Sequence, residues 1–166
     1  MKSKSNYITR AQKFIEQIDF YMSGCETVQD YEYGVADFLD HHKNRKVQVE
    51  HGISRIALIT SDYVVKIDYA KNSQFGNCKD EVEMYEQAVA DGMSHLLAPI
   101  TPYLYGGRYY YIMPRVTGIG TWRYEFDDYC EGEDYQWVTA NIWDMQQWNF
   151  GRWHKRLVLI DYACRR

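Results

Sequence analysis

Three runs decide the class of fold: Lys46-Val47-Gln48-Val49-Glu50, Arg55-Ile56-Ala57-Leu58-Ile59-Thr60 and Tyr63-Val64-Val65-Lys66-Ile67. They are rich in Val, Ile and Tyr and follow a two-residue period, the mark of β-strands. Ser61-Asp62 supplies turn chemistry between the last two runs and predicts a tight connection. Lys66 stands at the centre of the third run. An ammonium there must meet an anion, because burying an unpaired charge is costly.

Outward from this segment the period changes to that of helices. Upstream, Ile8, Ala11, Phe14, Ile15, Ile18, Tyr21 and Met22 keep helical spacing and predict a helix over 6–22. Ser23-Gly24 breaks it. A second helix is predicted over 27–42, with Thr27 and Asp30 as a capping box and Val28, Tyr31, Val35, Phe38 and Leu39 as its apolar stripe. Downstream, a helix is expected over 78–91, capped by Asn77 and stopped by Gly92. Tyr103–Tyr105, Gly106-Gly107 and Tyr109–Met113 predict a hairpin, with Pro114 ending its second strand. Residues 117–134 read as a connection, 135–143 as a short helix, and Arg156–Ile160 as a last strand. The predicted class is α+β, an antiparallel sheet carrying one helix in its middle, with two helices in front. The organisation expected is a helical segment over 1–45 and a second domain over 46–166.

The 166 residues are enough for one hydrophobic core, and 46% hydrophobic with 25% charged residues is ordinary globular composition. Sixteen Tyr and five Trp supply large buried area with polar edges. A net charge of −4 argues against a general nucleic-acid binder, which needs a basic face, although Arg152, Lys155, Arg156, Arg165 and Arg166 form a local basic group. Cys25, Cys78, Cys130 and Cys164 show no zinc-like spacing, and adjacent His41-His42 makes a poor metal pair. Free thiols in a reducing cytoplasm are expected. No run reaches the length of a membrane span, and no signal-type core follows Met1. A cytoplasmic protein with no membrane partner is expected.

Four features that suit phosphoryl transfer fall in one order. Gly52-Ile53-Ser54-Arg55-Ile56-Ala57 is a loop with one glycine running into a strand. Val64-Val65-Lys66-Ile67 centres a lysine in an apolar strand. Asp80-Glu81-Val82-Glu83 opens an acidic helix. Asp144 and Asn149 lie five apart, and Leu157-Val158-Leu159-Ile160-Asp161 ends an apolar strand in a carboxylate. An aspartate can accept a hydroxyl proton while an asparagine oxygen and a second aspartate hold magnesium beside phosphates.

The segment Ile142-Trp143-Asp144-Met145-Gln146-Gln147-Trp148-Asn149-Phe150-Gly151, followed by Leu157–Ala163, resembles the catalytic and metal-binding loops of protein-kinase-like proteins. It is most similar to compact kinases encoded by bacteriophages, and more distantly to aminoglycoside phosphotransferases. The resemblance covers roughly residues 46–163 and implies a minimal kinase-like fold with a strongly reduced second lobe. By it, ATP and Mg²⁺ are the cofactors and Asp144 is the catalytic-loop aspartate. Lys66 pairs with phosphates, and Asn149 and Asp161 hold the metal. Gly52 and Ser54 cover the nucleotide, and Met113 and Arg115 belong to a hinge, Met113–Val116, that meets adenine. Glu81 is the helix partner of Lys66, preferred to Glu83 because it shares a face with Tyr85 and Ala88.

The pattern has departures. One glycine stands where two or three are usual, Trp143 precedes Asp144, Gln146 replaces a common histidine, and Tyr162-Ala163 follows Asp161. Only residues 117–143 separate the hinge from Asp144, and the two N-terminal helices are free by order to stand in for the missing lobe. The leading expectation is an ATP/magnesium-dependent phage protein kinase acting on a host protein, with a homodimer able to supply the missing lobe in trans. The alternative is a catalytically degenerate kinase fold, a pseudokinase, that binds and inhibits a host protein in host takeover.

Overall fold

The structure is a computed structural model and describes residues 5–43, 45–69, 77–120, 129, 131–142 and 146–162. Helices α1 (Ser5–Met22) and α2 (Val28–His41) precede strands β1 (Gln48–His51), β2 (Arg55–Ile59) and β3 (Tyr63–Asp68). Helix α3 (Cys78–Ala90) follows, then β4 (Thr101–Tyr105), β5 (Arg108–Pro114), α4 (Glu133–Asn141) and the hairpin β6 (Phe150–Trp153) and β7 (Arg156–Leu159). The class is α+β, as expected: five strands form an antiparallel sheet in the order β1-β2-β3-β5-β4, and β6 and β7 form a small sheet of their own.

Local chemistry explains the boundaries. Thr27 accepts from the Asp30 amide at 3.3 Å while Asp30 Oδ2 accepts from the Thr27 amide at 2.8 Å, so the capping box starts α2. Asn77 Oδ1 accepts from the Asp80 amide at 3.0 Å and starts α3. At the end of α3, Gly92 adopts φ +76°. The Met93 amide then reaches the Ala88 carbonyl at 2.7 Å, and the Gly92 amide that of Val89 at 3.2 Å, which closes the helix as a Schellman motif. Gly106 and Gly107, at φ +57° and +78°, link β4 to β5 in a two-residue turn because Tyr105 pairs with Arg108.

The chain divides into two compact units, Met1–Gln74 with Thr101–Arg115, and Phe75–Ile100 with Val116–Arg166. In the first unit, strand alternation places Ile56, Leu58, Tyr63, Val65, Ile67, Tyr110 and Ile112 on one sheet face. That face packs against Ala11, Phe14, Ile15, Ile18 and Met22 of α1 and Tyr31, Val35 and Phe38 of α2. The N-terminal helices thus complete the core of the sheet. The physical cause is that face's unbroken apolar surface, where each fully buried large side chain contributes about 1.5–3 kcal/mol. Gly34 allows α2 to approach α1, since a Cβ there would lie 2.3 Å from the Tyr21 carbonyl oxygen.

In the second unit, Leu97 bridges Leu159 and the Ala98 amide donates to the Leu159 carbonyl at 2.9 Å. Trp137 Nε1 of α4 donates to Asp91 at 2.8 Å, and His95 contacts Asp134 at 2.7 Å. Strand β6 was not expected from the sequence. Its turn residues His154 and Lys155 take φ of 50° and 65° without the glycine or asparagine that would signal such a turn.

Candidate functional site

Lys66 lies on β3 opposite Ala57 of β2 and Tyr111 of β5. Its neighbours Val65 and Ile67 belong to the core facing α1 and α2, so alternation sends Lys66 to the other face of the sheet. There it is 8% exposed. Val64 and Met113, which pair directly, share that second face. The strand that carries the lysine is thus fixed on both sides by hydrogen-bonded neighbours.

The glycine loop forms the β1–β2 turn. The Gly52 amide donates to the Arg55 carbonyl at 2.8 Å, Ile53 stands at the exposed tip, and Ser54 is buried with its carbonyl accepting from the Tyr69 amide at 2.8 Å. At the end of β5, Pro114 has no amide hydrogen, and the Arg115 amide donates to the Asp62 carbonyl at 3.0 Å. Both amides are therefore engaged within the protein. The chain passes from the first unit to the second between Arg115 and Val116, inside the segment expected as a hinge.

In the second unit, Glu81 lies on the buried face of α3 with Cys78, Met84 and Ala88 and is fully buried, whereas Glu83 is exposed. The i, i+3, i+7 spacing of Glu81, Met84 and Ala88, with Cys78 three residues before Glu81, dictates this. Asp144 lies outside the described residues. Asn149 ends a short 3₁₀ turn, Gln147–Asn149, where its amide donates to the Gln146 carbonyl at 2.9 Å. It is 7% exposed.

The Asn149 carbonyl accepts from the Ile160 amide at 2.7 Å, which continues the β6–β7 ladder by one step and brings Asn149 beside the Ile160-Asp161 bond. Asp161 is half-buried, and Tyr162 after it is fully buried with its hydroxyl donating to the Ala98 carbonyl at 2.5 Å. Tyr162 thereby pins the backbone next to Asp161.

The Asn149 amide oxygen and the Asp161 carboxylate are hard oxygens of the kind that suits a magnesium ion. That ion takes hard oxygens, often from only one or two protein groups, and completes its shell with phosphate and water. Among the described residues no group of three or more His, Cys, Asp or Glu is arranged to hold a metal. No helix among them is long and apolar enough to cross a membrane. Sequence reasoning missed the β6–β7 ladder whose continuation joins Asn149 to Ile160; the signal for it was slight, the apolar Phe150 after Asn149 in a strand of four residues. Compared with protein-family models, curated proteins and solved structures, the chain matches none.

Proposed function

We propose that this chain binds ATP and magnesium and transfers a phosphoryl group, as a minimal protein-kinase-like enzyme of bacteriophage type whose acceptor is a host protein. The observation that carries the reading is the backbone bond from Ile160 to Asn149, which keeps the two expected metal-holding residues, Asn149 and Asp161, on neighbouring stretches of backbone. Support also comes from the burial of Lys66 at the centre of a sheet strand. In this reading the Lys66 ammonium neutralises phosphate charge, and Asn149 and Asp161 offer oxygens to the metal. The magnesium ion supplies charge neutralisation at the transferring group. Asp144 accepts the proton of the attacking hydroxyl as the oxygen–phosphorus bond forms and the nucleoside diphosphate departs.

A second reading is a kinase-like fold kept for binding and inhibiting a host protein. The engagement of the Gly52 amide by Arg55 and of the Arg115 amide by Asp62 favours it, because those donors are then withdrawn from phosphate and adenine.

Thermal unfolding with and without ATP and magnesium separates the two. Ligand at 100 times its dissociation constant stabilises by about 2.7 kcal/mol. The enzyme reading expects a shift in the wild type that Asp161→Asn loses, and phosphate transfer that Asp144→Ala abolishes. The absence of any shift in the wild type at saturating ligand would sink it and leave the binding protein.

A further inference from the structure

A groove of about 730 Å³ opens at one end of the five-stranded sheet, wholly within the first unit. Its size falls in the range of small-molecule pockets, roughly 300–1,000 Å³. Its charge sets it apart. Arg10 from α1, Arg45 and Lys46 from the segment before β1, and Arg115 from the end of β5 all line it. The only carboxylate in that lining is Asp62. Four cations thus converge from three separate stretches of a chain whose net charge is −4.

The carboxylate is already committed. Asp62 accepts from Arg10 through Nε at 2.7 Å and again through Nη2. Arg45 is held without a carboxylate: its guanidinium donates to Gln17 and lies over the rings of Phe14 and Phe38, at 5.5 and 5.8 Å from their centroids. Among the described residues, the side chains of Lys46 and Arg115 make no salt bridge or hydrogen bond. Arg115 is nonetheless positioned, because its amide is tied to the Asp62 carbonyl at 3.0 Å. Thr60 and Ser61 line the groove too, with their hydroxyls donating to the Tyr63 carbonyl at 2.9 Å and to Asp62 Oδ1 at 3.3 Å. Like charges gathered at one place repel, and an anion that accepts from several guanidinium donors relieves that repulsion. Phosphate oxygens match the planar fork of arginine.

We propose that this groove is an anion site for a phosphate group carried by a small molecule, up to the size of a mononucleotide, and separate from the Asn149–Asp161 pair. Lys46 and Arg115 are its principal ligands, with Arg45 oriented by its aromatic platform. The proposal does not rest on phosphotransferase activity.

The test is calorimetric titration of the full chain with inorganic pyrophosphate in magnesium-free buffer. A Lys46→Ala/Arg115→Ala double variant is compared with Lys13→Ala/Lys79→Ala, which removes the same charge from exposed surface positions. The expected result is binding by the wild type that weakens as salt is raised. Affinity falls at least tenfold in the Lys46/Arg115 variant and less than twofold in the control. A parallel titration with adenosine monophosphate separates the sources: tighter binding than pyrophosphate assigns the site to a nucleotide, and weaker binding to a free polyphosphate. No binding of either probe by the wild type, or equal loss in both double variants, overturns the proposal.

Discussion

The Ile160 amide and the Asn149 carbonyl meet at 2.7 Å, and this one bond places the backbone of Asn149 beside that of Ile160 and Asp161. It extends the β6–β7 pairing, in which Phe150 faces Leu159 and Gly151 faces Val158. The site's geometry thus depends on a hairpin of four-residue strands, and that hairpin leans on the segment Val116–Ile119.

Gly151 is where the dependence can be tested. A Cβ at this position would lie 2.4 Å from Val116 Cγ1 and 3.0 Å from the Thr117 carbonyl oxygen. Gly151→Ala is expected to destabilise the protein by about 1–3 kcal/mol through overpacking. In a chain of this size that lowers the melting temperature by roughly 2–4 °C per kcal/mol. A melting temperature unchanged within error would show that β6 can move away from Val116 at no cost.

The two acids of α3 are predicted to behave differently. Glu81 is fully buried and Glu83 exposed. Glu81→Ala is expected to cost at least about 2 kcal/mol, since it strips a carboxylate from surroundings built to satisfy it. Glu83→Ala stays within about 0.5 kcal/mol. Urea unfolding of the two variants gives the comparison, and similar midpoints would contradict the burial assigned to Glu81.

Alkaline stability should report on Tyr110. Burial raises its phenol pKa far above the ordinary value, and the hydrogen bond to Asp19 Oδ1 at 2.5 Å raises it further. Burial likewise raises Tyr63 and Tyr69. The unfolded chain ionises these phenols from about pH 10 while the folded chain holds the proton. Their contribution is therefore complete below that pH and is lost as pH rises toward the folded values. Tyr110→Phe is expected to flatten the fall in melting temperature between pH 9.5 and about 11. A slope identical to the wild type would remove Tyr110 as the cause.

At the crossing of the two N-terminal helices, Gly34→Ala forces a methyl group toward the Tyr21 carbonyl and Met22 Cε, 2.3 and 2.8 Å away in the present packing. A loss of about 1–3 kcal/mol is expected despite alanine's better helix propensity. Chemical denaturation would read it; a gain in stability would mean that α1 and α2 can separate freely.

Much of the architecture was legible along the chain. The 3.6-residue stripes of α1 and α2, the Thr27–Asp30 box, Asn77, Gly92 and the Gly106-Gly107 turn are local signals, and each acts through neighbours a few residues away. The burial of Glu81 rather than Glu83 followed from helical spacing alone. Lys66 could be foreseen as a buried cation from its place at the centre of an apolar strand.

Three features needed the tertiary structure, because each is made by residues distant in sequence. The α1–α2 pair covers one face of the sheet because its stripe fits the apolar side of β2, β3 and β5, which no local pattern encodes. Strand β6 exists because β7 pairs with it through a His154-Lys155 turn of unfavoured backbone. Arg10, Arg45, Lys46 and Arg115 are unremarkable surface charges along the chain and become a cationic groove only when α1, the β1 approach and the end of β5 meet. Periodicity and capping are short-range physics and can be read from the sequence; the convergence of charges and the pairing of short strands are products of chain closure, which only the folded molecule decides.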